Sequence, residues 1–281
     1  MRTPMIGGVA AAVLLAASWA NAGEVMVDGR KVAYREWGAG DRTLVMVSGL
    51  GDGAETFDGV GPRLAQGLRV IAYDRAGYGG SADDPGVHDA VRAEAELKGL
   101  LAALNIQRPV LLGHSLGGVF AAHFAARNPR EVAGLVLEET RPTGFTDACK
   151  VKIKRGCEFP PLLKYAFPPG GRREIEALSL TERQEAEAAG GATPTLILTR
   201  ANTGQGGFDG LWLSQQAKLV QRWPAARLVA APKGGHYVHR DARDWFVSEV
   251  SSFLTALGVV SKKVVYTLPG GEAADARVWS G

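Results

Sequence analysis

The residues best suited to chemistry are Gly113-His114-Ser115-Leu116-Gly117, a G-x-S-x-G pattern. Before it runs Val110-Leu111-Leu112, short and apolar enough for one buried strand. After it comes Val119-Phe120-Ala121-Ala122-His123-Phe124-Ala125-Ala126, a good helix former. Strand, sharp turn and helix in that order expose the Ser115 hydroxyl above a sheet as a nucleophile. Glycines at 113 and 117 suit a cramped turn in which neighbouring backbone leaves no room for a Cβ.

Three other motifs stand at the ends of apolar runs. Ser48-Gly49-Leu50-Gly51 follows Thr43-Leu44-Val45-Met46-Val47, and Asp74-Arg75-Ala76-Gly77-Tyr78-Gly79-Gly80-Ser81 follows Leu68-Arg69-Val70-Ile71-Ala72-Tyr73. Gly235-His236 lies beyond Leu228-Val229-Ala230-Ala231. With these motifs and the element order over about residues 25 to 255, the chain resembles the α/β-hydrolase family of serine hydrolases.

That resemblance implies roles. The backbone amides of Leu50 and Leu116 are the expected oxyanion donors, each typically worth ~100-fold or more in rate. The family usually reads His-Gly where this chain has Ser48-Gly49, so a side chain that often braces the loop is absent. His236 is the expected base, because family members place it after the last strand and its glycine neighbours let the loop approach Ser115. His239 is its nearest rival. His114 points elsewhere in such turns, His123 falls on a helix and His88 on a surface loop. Asp74 is read as a loop brace. Ser115 excludes the aspartate nucleophile that some members use.

The third member is less settled by sequence. Most members carry the acid after the strand ending here at Thr199, yet Arg200-Ala201-Asn202-Thr203 follows and the first carboxylate is Asp209. Others take it from the preceding strand end, here Glu138 or Glu139. Strand alternation turns only one of that pair toward the site, and Glu139 aligns better with the usual acid. Glu139 is preferred, with Asp209 next.

The elements that must position these groups follow from pattern. Glu24 to Glu36 alternates around Asp28-Gly29, a hairpin signal. Leu97, Leu100, Leu101 and Leu104 fall at helical spacing, and Asp244 to Leu254 reads as a closing helix. The implied fold is α/β: a mostly parallel eight-strand sheet with helices on both faces and a small lid. The lid is placed at about 141–191, where strand and helix alternation breaks down around Pro160-Pro161 and Pro168-Pro169. A polar helix is expected there near Leu178 to Ala189. Between Arg141 and Arg173 the lid has eight Lys/Arg against Asp147 and Glu158, which most simply makes a solvated face.

A chain of 281 residues with 46% hydrophobic content suffices for one large domain, and a formal charge of +3 without a basic block argues against nucleic acid. Met1-Arg2-Thr3, the apolar run from Met5 to Ala17 and Ala20-Asn21-Ala22 read as a secretory signal peptide over 1–22. Export to the periplasm or outside the cell makes a Cys149–Cys157 disulfide the expected state of the two cysteines. The hydrolase domain is assigned to 23–257, and 258–281 is an extension without an assigned role. The expected activity is ester hydrolysis on small-molecule substrates, with no metal or organic cofactor implied. Amidase, peptidase and lipase activity, a lipid surface as partner and a non-catalytic binding role stay open.

Overall fold

A computed structural model describes residues 21–201 and 207–259. The expected signal peptide, apart from its last two positions, and nearly all of the C-terminal extension lie outside these residues. So do residues 202–206 of the loop before Asp209.

The chain starts in a hairpin, β1 (Asn21–Val27) and β2 (Arg30–Trp37). Its two-residue turn puts both Asp28 (φ 49) and Gly29 (φ 75) at positive φ, the conformation of the turn that best matches strand twist. β3 (Thr43–Val47) leads through a short 3-10 turn to α1 (Gly61–Leu64) and β4 (Arg69–Tyr73). Next come α2 (Ala90–Ala103), β5 (Val110–His114), α3 (Leu116–Arg127) and β6 (Gly134–Glu138). Asp89 starts α2 by accepting from the Arg92 amide at 2.8 Å, a cap typically worth ~1 kcal/mol. The inserted segment holds α4 (Phe145–Lys152) and α5 (Pro169–Glu187). The chain closes with β7 (Thr195–Thr199), α6 (Gly207–Arg222), β8 (Ala226–Ala230), α7 (Val238–Asp241) and α8 (Arg243–Ala256).

The eight strands form one sheet in the order β1-β2-β4-β3-β5-β6-β7-β8. β1 and β2 pair antiparallel, β2 is antiparallel to β4, and every pairing from β4 to β8 is parallel. β3, β5, β6 and β7 are buried along their whole length, as continuous apolar runs covered on both faces must be.

Alternation splits the core in two. Leu44, Met46, Leu112, Val136 and Leu196 pack on one face with Phe246, Val250 and Leu254 of α8. Val45, Val47, Leu111, Leu135 and Ile197 pack on the other with Leu97 and Leu100 of α2 and Phe124 of α3. All the parallel strands point their carboxyl ends the same way, so Ser48, Ser115, Glu139 and Arg200 emerge along one edge of the sheet.

Candidate active site

Ser115 sits between β5 and α3 with φ 54 and ψ −118, a conformation an L-residue holds only when its surroundings force it. Its amide donates to the Glu138 carbonyl at 2.9 Å and its carbonyl accepts from the Arg141 amide at 3.1 Å. The turn is as cramped as its glycines imply. A Cβ on Gly117 would stand 2.3 Å from the carbonyl oxygens of Val47 and Ser48, and one on Gly113 would stand 2.5 Å from the Gly117 oxygen.

The loop after β8 brings His236 to this serine, with Nε2 2.9 Å from Ser115 Oγ. The other ring nitrogen, Nδ1, is 3.2 Å from Glu139 Oε2. Glu139 follows β6 at φ 47 and is fully buried, so the residue leaves the strand register and turns its carboxylate into the site. Its Oε1 accepts from Thr199 Oγ1 at 2.9 Å and the Arg200 amide at 2.7 Å, and its Oε2 accepts from Arg200 Nε at 2.7 Å. Burial pushes this carboxyl up, but the His236 and Arg200 hydrogen bonds outweigh it and hold the group below the usual range. An ionised acceptor facing Nδ1 places the proton there and leaves the Nε2 lone pair for the serine hydroxyl. Arg200 Nη2, 3.3 Å from Nδ1, can only donate and so acts on that tautomer through its charge alone.

The remaining acid candidates go elsewhere. Glu138, the last residue of β6, points to the opposite side and is fully buried against His239, with Nδ1 2.8 Å and 2.9 Å from its two oxygens. His239 bonds Thr56 Oγ1 through Nε2 at 3.2 Å and stands away from Ser115. Asp209, in the first turn of α6, is 2.8 Å from Arg200 Nη1 and touches His236 only through that guanidinium. His88 corrects the sequence expectation: it is buried, not on the surface, because its Nε2 donates inward to the Asp84 carbonyl at 2.8 Å. Asp74 braces its loop, accepting from the amides of Ala54 and Gly80 at 2.7 Å and 2.8 Å.

The Ser48–Gly51 turn lies against the serine. A Cβ on Gly49 would sit 3.2 Å from Ser115 Cβ. The amides of Leu50 and Leu116 have no partner among the described residues, and Leu116 opens α3, whose N-terminus favours negative charge.

Three contributors carry no local sequence signal. Trp212 of α6 places its ring 5.5 Å from that of His236, edge-on, and Arg200 lies over the same indole at 5.4 Å. His114 Nε2 donates to the His236 carbonyl at 2.9 Å and so pins the base loop. Burial pushes His114 down to about 4, which keeps it neutral. His114, Glu138 and His239 are the one group of metal-type donors among the described residues. Glu138 and His239 hydrogen-bond each other, His239 Nε2 meets Thr56 Oγ1 and His114 Nε2 meets the His236 carbonyl, so of the ring nitrogens here only His114 Nδ1 lacks a partner.

Above the site, α4 is tied down by the Cys149–Cys157 disulfide, with 5.5 Å between Cα atoms. Phe145 packs on Trp212 at 5.0 Å, so this aromatic belongs to the joint between lid and α6. Three of the eight basic residues of the lid face are paired by acids from outside the run, Arg141 with Glu182, Lys164 with Glu176 and Arg173 with Asp83.

A family-wide profile described as alpha/beta hydrolase fold matches residues 42–156. A 2-hydroxy-6-oxononadienedioate/2-hydroxy-6-oxononatrienedioate hydrolase of Paraburkholderia xenovorans (strain LB400) is 43% identical over 111 residues, 37% of this chain and 38% of that protein. A protein of the same description from Cupriavidus pinatubonensis (strain JMP 134 / LMG 1197) is 40% identical over 114 residues, 38% of this chain and 39% of its own. The chain therefore matches less than half the length of these relatives. Among solved structures, a thermophilic esterase from Thermogutta terrifontis superposes with a TM-score of 0.66 at 20% identity, covering 84% of this chain and 99% of that one. The enol-lactonase from Burkholderia xenovorans LB400 gives 0.66 at 20% identity, covering 83% and 100%. Sheet order, elbow and profile agree: the chain has the α/β-hydrolase fold, and its residues 42–156 match that family's profile.

Proposed function

We propose that this hydrolase-fold chain is a serine hydrolase that cleaves carboxylic esters. The observation that carries the reading is one imidazole bridging a strained serine and a buried carboxylate, 2.9 Å to Ser115 Oγ on one side and 3.2 Å to Glu139 on the other. In this reading His236 Nε2 takes the hydroxyl proton as Ser115 Oγ attacks the acyl carbon. Glu139 holds the ring and stabilises the imidazolium that forms. The Leu50 and Leu116 amides receive the negative oxygen of the tetrahedral intermediate. His236 then gives the proton to the leaving alcohol, and a water, activated the same way, releases the acid from the acyl-enzyme.

Two observations support export to the periplasm or beyond: the leader-like start of the sequence and a disulfide of the kind that persists in oxidising compartments. Hydrolysis of a hydroxy-oxo-dienedioate is the second reading, favoured by the 43% identical relative of that name.

The test is fluorophosphonate labelling of the purified protein and of Ser115→Ala, followed by hydrolysis of an ester panel that includes 2-hydroxy-6-oxononadienedioate. Labelling lost in Ser115→Ala, with turnover of simple esters, supports the proposal. A folded wild type that stays unlabelled refutes it.

A further inference from the structure

The turn that presents the Leu50 amide is held from outside itself. Ser48 stands where the family usually has histidine, and its hydroxyl donates within the turn to the Asp52 carbonyl at 2.7 Å. The grip comes from Arg75, 3% exposed. Its Nη1 donates to Ser48 O at 2.6 Å and Ser48 Oγ at 3.0 Å, and its Nη2 donates to Gly49 O at 3.0 Å. The Gly49 carbonyl and the Leu50 N–H belong to one planar peptide unit, so fixing the oxygen fixes where the N–H points.

The same guanidinium is seized by Glu174 of α5, Nε to Oε1 at 2.6 Å and Nη2 to Oε2 at 3.1 Å. Tyr78 adds a second link: its hydroxyl donates to Glu174 Oε2 at 2.5 Å and accepts from the Gly51 amide at 3.3 Å. One buried lid carboxylate, 2% exposed, thus clamps both groups that hold residues 48–51. Networks of this kind, shielded from water and fully paired, are stiff.

We propose that Glu174, acting through Arg75 and Tyr78, is a positioning residue for the oxyanion turn, so that the lid helix sets the direction of the Leu50 amide. The assignment rests on the serine-hydrolase reading above.

The experiment compares wild type with Glu174→Gln, Tyr78→Phe and the control Glu176→Gln, an exposed position on the same helix. Three quantities are read: kcat and KM on an activated ester, Ki for a trifluoromethyl ketone that forms a tetrahedral oxyanion, and amide exchange of the 48–53 segment. Misdirecting one oxyanion donor is expected to lower kcat about tenfold or more in Glu174→Gln and several-fold in Tyr78→Phe. Ki rises by the same factors, KM stays within about twofold, and exchange quickens in 48–53 while the control matches wild type. A merely structural role would reduce the fraction of sites titrated by fluorophosphonate and leave Ki of that fraction unchanged, which overturns the proposal. Should Glu174→Gln fail to fold, Tyr78→Phe decides by the same readouts. If the wild type reacts with neither ester nor fluorophosphonate, the hydrolase reading fails separately. Exchange then judges the clamp: acceleration confined to 48–53 upholds the lid-to-turn coupling, and unchanged exchange overturns it.

Discussion

Replacing Glu139 by glutamine tests the site at its most specific point. The carboxylate is fully buried, and its Oε2 faces two donors, Arg200 Nε at 2.7 Å and His236 Nδ1 at 3.2 Å. The amide of Glu139→Gln keeps an acceptor for Thr199 and the Arg200 N–H but turns an NH2 toward the other two. To avoid donor against donor, His236 must carry its proton on Nε2, where it can no longer accept from Ser115. A wrong tautomer costs ~10⁴-fold in kcat, about 5.4 kcal/mol of barrier. Arg200 keeps Asp209 at 2.8 Å, so the stability loss is that of one charged hydrogen bond, about 1–3 kcal/mol, and the variant folds. The assay is steady-state ester hydrolysis normalised to active sites, beside Asp209→Asn, which should remain within about threefold of wild type. Glu139→Gln retaining a tenth or more of the wild-type kcat, or Asp209→Asn proving the more damaging change, would refute the assignment.

Two further outcomes follow from buried groups and from the lid. Burial raises Glu96 to about 7, so between its ordinary 4.5 and 7 the folded state binds more protons than the unfolded one and stability falls as pH rises. Glu96→Gln, which still accepts from the Ala76 amide, removes that loss. By urea unfolding it should gain about 3 kcal/mol on wild type between pH 4 and pH 8. His114, lowered to about 4, slopes the other way in both proteins and so cancels from the difference. The Cys149–Cys157 bridge closes a loop with a sequence separation of 8, worth about 2.5 kcal/mol by loop entropy. Cys149→Ser with Cys157→Ser should speed proteolysis within 145–167 and leave the circular dichroism of the sheet unchanged.

The elbow was legible because a glycine pattern, an apolar strand and a helix coincide within a few residues, and the hairpin because Asp28-Gly29 suits a two-residue turn. The candidate acid was legible only as a short choice. What separates Glu139 from Glu138 is the backbone at φ 47, which breaks strand alternation and which no side-chain pattern announces. The lid helix starts at Pro169, nine residues before the expected polar stretch, because Pro168-Pro169-Gly170-Gly171 reads as a breaker although proline suits a first turn. His88 is a loop residue as expected, but its burial could not be read because it depends on a carbonyl four positions away. The Glu174 clamp joins residues separated by 96 and 99 positions, a distance over which one sequence carries no pairing signal.

The contact between residue 200 and Glu139 also joins two strand ends into one mechanical unit. The Arg200 amide donates to Glu139 Oε1, so the ends of β6 and β7 meet at the ring nitrogen of His236. A shift of either strand end is therefore felt at the same imidazole, and the main chain at position 200 counts for as much as its side chain in holding that ring.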